Sequence, residues 1–192
     1  MNSNHKVLKF KSNNSKEVID QVSIEEPLEI IIKYKDKEYW IENTISITMR
    51  TPGDDEDLVR GFLFNERVIE KIDYIESIKL AGDTVGQYKL KNKAVVTINN
   101  SENIDIDKIK RNFLTNSSCG VCGKTSLDSL EIIKKDKIVK SIPEIQHEII
   151  MKSPNILRQN QSEFSKTGGI HASGLFKFSG DLIAIKEDVG RH

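Results

Sequence analysis

The order of strand-like and helix-like stretches limits the fold of this chain more than any other feature. The run Leu28–Ile32 is rich in branched residues, which is typical of a strand, and residues 39–41 are predicted to form its hairpin partner across a turn-like Lys35-Asp36-Lys37. A helix is predicted over 55–65, since it has an acidic start and apolar residues at helical spacing. Strands are predicted at 45–49, 74–80 and 93–98, and helices at 125–134 and 144–159. The mixed order predicts an α/β (α+β) protein.

Turn-forming residues divide these elements. Gly82-Asp83 and Asn99-Asn100 predict turns, and Pro154 is expected to end or kink the last helix. Ser179-Gly180-Asp181, between the apolar stretches 175–178 and 182–185, predicts a β-hairpin.

Charge and hydropathy exclude several functional classes. The 192 residues carry 29 lysines and arginines against 29 aspartates and glutamates. This balance argues against a general nucleic-acid or membrane-surface protein. No apolar run approaches the roughly 20 residues that span a bilayer, and no signal-like segment follows Met1. We therefore expect a cytoplasmic protein with reduced cysteines.

The two cysteines form the first candidate site. Cys119 and Cys122 are spaced as CxxC, with glycines inside and after the pair and Lys124 next. A predicted helix start and a nearby cation both lower a thiol pKa, which favours the nucleophilic thiolate. We interpret the pair as a reactive centre.

Other uses of the pair are also compatible with the sequence. A structural zinc site would need two more ligands, and the remaining histidines lie far away in sequence. A thioredoxin-like site would follow a strand directly, whereas polar residues precede Cys119. Two inert thiols in a loop are a third alternative.

Two further clusters follow the cysteines. In Thr167-Gly168-Gly169-Ile170-His171, a double glycine before a predicted helix start would expose N–H groups to an anion, with His171 in the first turn. The cluster from Glu187 to His192 holds two acids, an arginine and a histidine after a strand. Taken alone, each cluster is better explained without a ligand, the first by a structural histidine and the second by a solvated charged turn.

The ordered set of these clusters resembles the FdhD family of formate dehydrogenase accessory proteins. The carriers of the resemblance are Cys119–Lys124, Thr167–Ala172 and Glu187–His192, with Thr51-Pro52-Gly53 and the segment 58–63 before them. The likeness runs from about Pro27 to the last residue.

The resemblance implies a sulfurtransferase-type accessory protein. A cysteine desulfurase would place persulfide sulfur on the CxxC. The protein would pass it to the molybdenum cofactor, bis-molybdopterin guanine dinucleotide, which formate dehydrogenase needs. The resemblance also implies a homodimer, and it implies neither a nucleic-acid partner nor a structural metal.

The resemblance also implies roles for individual site residues. Cys119 would bear the persulfide and Cys122 would assist. Lys124 would favour the anion. The cofactor, with a guanine nucleotide as its mimic, would contact residues of the two later clusters: Thr167, Gly168, Gly169, His171, Asp188, Arg191 and His192.

The implied fold is a cytidine deaminase-like C-terminal domain with an added N-terminal α+β domain. Ser173 stands two residues after His171, where a deaminase keeps glutamate, so deaminase chemistry is not predicted. The predicted divisions are a polar lead-in over 1–22, the N-terminal domain over 23–140 and the start of the second domain over 141–192. Because the chain stops directly after an apolar hairpin, we expect that domain to be incomplete.

Overall fold

The computed structural model describes residues 1–85, 87–99, 104 and 144–192. The described residues form a mixed α/β structure, as predicted. Its strands are β1 (Asn2–Lys11), β2 (Asn14–Ser23), β3 (Glu26–Asp36), β4 (Tyr39–Arg50), β5 (Ile75–Val85), β6 (Leu90–Ile98), β7 (His171–Phe176) and β8 (Leu182–Asp188). Its α-helices are α1 (Asp55–Asn65), α2 (His147–Asn160) and α3 (Ser162–Thr167), and a 3₁₀ turn spans Ile72–Tyr74.

The chain forms two compact units. The first contains Met1–Glu25, Thr51–Asp54 and the described part of Val139–Arg191. The second contains Glu26–Arg50, the described part of Asp55–Ile138, and His192. The domain boundaries drawn from the sequence, after residues 22 and 140, stay predictions. No helix in the described ranges is both long and apolar enough to cross a membrane.

A four-stranded sheet in the order β4-β3-β6-β5 organises the second unit. β3 pairs antiparallel with β4 and parallel with β6, while β5 pairs antiparallel with β6. One face of the sheet is buried together with the apolar stripe of α1. The core includes Leu28, Ile30, Ile32, Leu58, Val59, Phe62, Leu63, Ala94, Val96 and Ile98. Each large apolar side chain that is fully buried there stabilises the folded state by about 1.5–3 kcal/mol relative to leaving it exposed.

One extra residue in β4 changes which side chains are buried. Ile31 pairs with Thr44 and Ile30 with Ser46, so Ile45 is an unpaired bulge residue. The predicted strand 45–49 is therefore the second half of the longer β4. Its apolar residues do not share a buried face, because Ile45 is 7% exposed whereas Ile47 is 55% exposed.

A buried ion pair joins the end of β4 to the start of α1. Arg50 Nε lies 2.5 Å from Asp55 Oδ1, and their side chains are 1% and 10% exposed. Arg50 also donates to Asn92 Oδ1 at 2.9 Å, and Asn92 donates to Glu26 Oε2 at 3.1 Å. This network ties α1 and three strands together at one point.

Two antiparallel hairpins belong to the first unit. β1 pairs with β2 along its whole length, so the predicted polar lead-in is an ordered hairpin. β7 pairs with β8 around the predicted turn at 179–181. Both hairpins satisfy their inner backbone groups by cross-strand hydrogen bonds.

α2 continues through Pro154, so this proline does not end the helix, and the predicted alternative, a kink, stays a prediction. Proline has no N–H to donate to the carbonyl oxygen of Ile150, four residues earlier. The hydroxyl of Ser153 donates to that oxygen at 2.9 Å. The neighbouring side chain thus supplies the missing hydrogen bond.

The predicted turn at Gly82-Asp83 is also wrong. Both residues lie inside β5, next to a register shift between Ala81 and Thr84. Gly82 has φ +84°, a left-handed value that glycine adopts without strain. The glycine therefore accommodates an irregularity within the strand and does not mark the end of the strand.

Candidate functional site

The open end of the β7–β8 hairpin gathers three of the predicted site residues. His171 begins β7 and lies opposite Asp188, the last residue of β8. Arg191 Nε donates to His171 Nε2 at 3.4 Å, and both side chains are exposed. His171 Nε2 is the acceptor of this bond, since the guanidinium of Arg191 has only N–H donors. A cation and an imidazole therefore stand side by side at the hairpin end.

The Asp188 carboxylate accepts hydrogen bonds from backbone N–H groups near this pair. Its two carboxylate oxygens each lie 3.2 Å from the Thr51 N–H, and Oδ1 accepts the Gly190 N–H at 2.6 Å. A carboxylate that accepts backbone N–H groups fixes their positions strongly, because charge-assisted hydrogen bonds are about twice as strong as neutral ones. Asp188 thereby sets the turn from which Arg191 reaches His171.

The glycines before His171 end a helix rather than start one. Gly168 caps α3 in the left-handed conformation, with φ +73°, and its N–H donates to Phe164 O at 2.8 Å. His171 lies in a strand, so the predicted helix start and the anion cradle based on it are wrong. The side chains of Ser23 and Thr167 each lie within 3.1 Å of Gly169 O, which fixes this turn.

Glu187 also belongs to this region, although no local sequence pattern predicts a role for it. Its oxygens accept the N–H groups of Glu163 and Phe164, each at 2.9 Å, at the start of α3. These donors have no partner within a helix, so an acceptor from another element satisfies them. The partners are 23 and 24 residues away in the chain, and no local pattern could have indicated the contact.

Replacing Glu187 with alanine is expected to lower the free energy of unfolding by about 1–2 kcal/mol, because two helix-end donors lose a charged acceptor. Urea unfolding measures the change, and the amides of Glu163 and Phe164 should exchange their hydrogens faster. Glu187→Gln keeps one acceptor oxygen, so its free energy of unfolding is expected to lie between those of the wild type and the alanine variant. Unchanged exchange at both amides in the alanine variant would contradict this role.

His192 has contacts of its own in the second unit. Its ring packs edge-on against Phe62 with centroids 4.9 Å apart, and its Nε2 lies 3.0 Å from Glu66 Oε1. Its backbone carbonyl occupies the space that a Cβ on Gly61 would need. The structure thus gathers His171, Asp188 and Arg191, and it places His192 against α1.

The predicted reactive centre lies outside the described residues. This applies to Cys119, Cys122, Lys124 and the helix predicted after them. Among the residues that are described, no group of three or more histidine, cysteine or acidic side chains could hold a metal ion.

The fold of the chain has a counterpart among solved structures. The structure resembles the crystal structure of a protein described as a formate dehydrogenase accessory protein from Desulfotalea psychrophila. The TM-score is 0.61 at 19% sequence identity, over 99% of this chain and 64% of that chain. At this identity the likeness shows a shared fold alone.

The sequence has relatives of higher identity. The model of the FdhD/NarQ family matches residues 23–192. The chain is 42% identical over 176 residues to a protein of Picrophilus torridus named sulfur carrier protein FdhD. It is 37% identical over 187 residues to the protein of that name from Sulfolobus acidocaldarius. The chain belongs to the FdhD/NarQ family.

The lengths differ between this chain and those relatives. The matches cover 91% and 97% of this chain, but 61% and 64% of the two relatives. The chain therefore spans about three-fifths of the length of the curated relatives that it matches.

Proposed function

We propose that this chain belongs to a sulfur carrier that serves the maturation of formate dehydrogenase. The observation that carries the proposal is the match to proteins named sulfur carrier protein FdhD, at 42% identity over 91% of this chain. The sequence supplies the chemical group that such a carrier needs, the cysteine pair Cys119 and Cys122. We assign the reaction to the cytoplasm, where such a pair stays reduced.

The first step is persulfide transfer from a cysteine desulfurase. The Cys119 thiolate attacks the outer sulfur of the donor's cysteine persulfide. The S–S bond of the donor breaks, a new S–S bond forms on Cys119, and the donor cysteine leaves as a thiolate. The proton stays on the transferred sulfur, so the exchange needs no external oxidant or reductant.

In the second step the Cys122 thiolate attacks the inner sulfur of the Cys119 persulfide, which breaks the persulfide S–S bond and forms a Cys119–Cys122 disulfide. The outer sulfur leaves as sulfide for bis-molybdopterin guanine dinucleotide, which is the substrate, and the cysteine pair supplies the two electrons that reduce it. His171 and Arg191 support this assignment, because an exposed guanidinium beside an imidazole suits the phosphate groups of a nucleotide. Thr167, Gly168 and Gly169 are proposed to line the same region through the turn before His171. Lys124 is proposed to stabilise the persulfide anion.

Asp188 and His192 take different parts in this proposal. The Asp188 carboxylate already accepts the N–H groups of Thr51 and Gly190, so we propose that it orders the turn that presents Arg191. His192 is retained as a cofactor-contacting residue from the family likeness. A cytidine deaminase-like domain around β7 and β8, and a homodimer, complete the proposal.

Sulfur loading tests the proposal directly. The protein is incubated with a purified cysteine desulfurase and L-cysteine, and intact-protein mass spectrometry is expected to show the added mass of sulfur. Metal analysis of protein purified without added zinc is run on the same preparation. Stoichiometric zinc without sulfur loading would overturn the proposal in favour of a metal-binding module, for which the cysteines would be ligands.

A further inference from the structure

One face of the four-stranded sheet is open to solvent. We call it the outer face. Its side chains alternate with the buried side chains along each strand. Its residues are Pro27, Glu29, Ile31, Lys33 and Lys35 of β3, Trp40, Glu42, Thr44, Ile47 and Met49 of β4, Ser77, Lys79 and Ala81 of β5, and Lys91, Lys93, Val95 and Thr97 of β6.

Apolar side chains lie across the middle and one edge of the outer face. Trp40, Ile47 and Met49 are 54%, 55% and 45% exposed. On the two inner strands of the sheet, Ile31 of β3 lies beside Val95 of β6. Large apolar groups grouped on one exposed face mark interaction surfaces, whereas single ones are ordinary.

The charges on the outer face are unbalanced. It carries five lysines and two glutamates, although the whole chain has no net charge. Both glutamates already pair with lysines of the face, Lys33 with Glu42 at 3.0 Å and Lys93 with Glu29 at 3.1 Å. Lys79 and Lys91 have no carboxylate within ion-pair distance among the described residues. The excess of positive charge is therefore available to a partner.

Glu29 adds to the order of this surface. The Thr44 hydroxyl donates to its carboxylate at 2.7 Å, and this bond, helped by Lys93, lowers the Glu29 pKa below its ordinary value against the effect of burial. Glu29 is thus ionised near neutral pH and holds Lys93 in place. Lys33 also lies over the Trp40 ring, 5.5 Å from its centroid. The surface is preorganised by its own contacts.

The composition of the outer face favours a protein partner over other macromolecules. Single-stranded nucleic acids use several aromatic platforms for stacking, and this face has Trp40 alone. A second copy would oppose lysines with lysines, which costs binding energy. A protein surface rich in carboxylates around an apolar centre complements both the lysines and the aliphatic side chains.

We infer that the outer face is the docking surface for an acidic surface of the sulfur donor, the cysteine desulfurase. This inference rests on the proposed function. Persulfide passes directly between cysteines of two proteins, so the donor must dock at every transfer. The second step delivers sulfur to a small molecule and requires no such contact between proteins.

A charge-reversal variant tests the inference. Lys79→Glu with Lys91→Glu is expected to weaken binding to the purified desulfurase at least about tenfold, since like charges would oppose its carboxylates. Isothermal titration calorimetry measures the affinity at several salt concentrations, and the wild-type affinity should fall as salt rises. Ile47→Ser is expected to weaken binding without changing the salt dependence.

The matched control is Lys6→Glu with Lys16→Glu, which changes the same charge on exposed positions of the β1–β2 hairpin. It is expected to bind the desulfurase as the wild type does. Loading with inorganic polysulfide, a small-molecule sulfur source, should be equal in all variants. This arm confirms that the variants are folded and that the cysteines still react.

The outcomes separate this inference from the proposed function. Equal desulfurase affinity in the two double variants would overturn the inference. So would a selective effect of Lys79→Glu with Lys91→Glu on binding to anionic vesicles or single-stranded RNA, or on self-association, without an effect on the desulfurase. Absence of sulfur loading in the wild type from either source would instead overturn the proposed function.

Discussion

Asp55→Ala is expected to lower the free energy of unfolding by about 3–5 kcal/mol, because it leaves the buried Arg50 guanidinium without its counter-charge. The Arg50 side chain is 1% exposed, and within the described part of the chain its other hydrogen bonds are with neutral oxygens of Asn92 and Lys91. A buried charge without an ionic partner loses its hydration and regains little in return. Urea unfolding followed by circular dichroism measures the loss.

The adjacent aspartate offers a matched control. Asp54 pairs with Lys186 at 3.1 Å, but both side chains are more than half exposed. Exposed ion pairs contribute about 0–1 kcal/mol, so Asp54→Ala should change stability little. Equal effects of Asp54→Ala and Asp55→Ala would show that burial does not set the strength of the Arg50–Asp55 contact.

Cys119→Ala is expected to abolish the gain of sulfur mass from the desulfurase, because alanine offers no thiolate to attack the donor persulfide. Cys122→Ala is the matched control, since it removes a thiol of the same loop. In the proposed scheme this variant still accepts sulfur on Cys119, while onward transfer is slowed. Intact-protein mass spectrometry before and after addition of a reductant distinguishes bound persulfide from other modifications.

The reverse pattern would reassign the roles of the two cysteines. Loading that persists in Cys119→Ala and disappears in Cys122→Ala would identify Cys122 as the acceptor. Loading that persists in both single variants and disappears in the double variant would show that either thiol accepts sulfur. Far-ultraviolet circular dichroism of each variant checks that the loss is chemical and that the fold is kept.

Local signals predicted much of the fold. Helix α1 runs over the predicted residues because its acidic start and apolar stripe agree with each other. The turn at 179–181 joins β7 and β8 as its residue types require. Glycine was a weaker signal than these patterns, because it ends helices and occupies irregularities within strands as readily as it forms turns. That ambiguity explains the wrong predictions at Gly82 and Gly168.

The candidate site was predictable as a set of residues but not as a set of contacts. The proximity of His171 and Arg191 follows from a hairpin register, which a motif does not contain. The same is true of Glu187, whose hydrogen-bond partners lie in another element. The binding of Asp188 to the Thr51 N–H joins segments 137 residues apart, and such contacts depend on the tertiary fold.

The bulge at Ile45 makes the length of β4 as important as its composition. Side chains alternate between the faces of a strand, so one added residue reverses the alternation for everything that follows. In a regular strand the added residue would send Ile47 and Met49 into the core and turn Arg50 towards solvent. The bulge absorbs it, because Thr44 and Ser46 on either side of Ile45 pair with the consecutive residues Ile31 and Ile30 of β3. The buried charge pair and the apolar part of the outer face therefore both depend on the bulge.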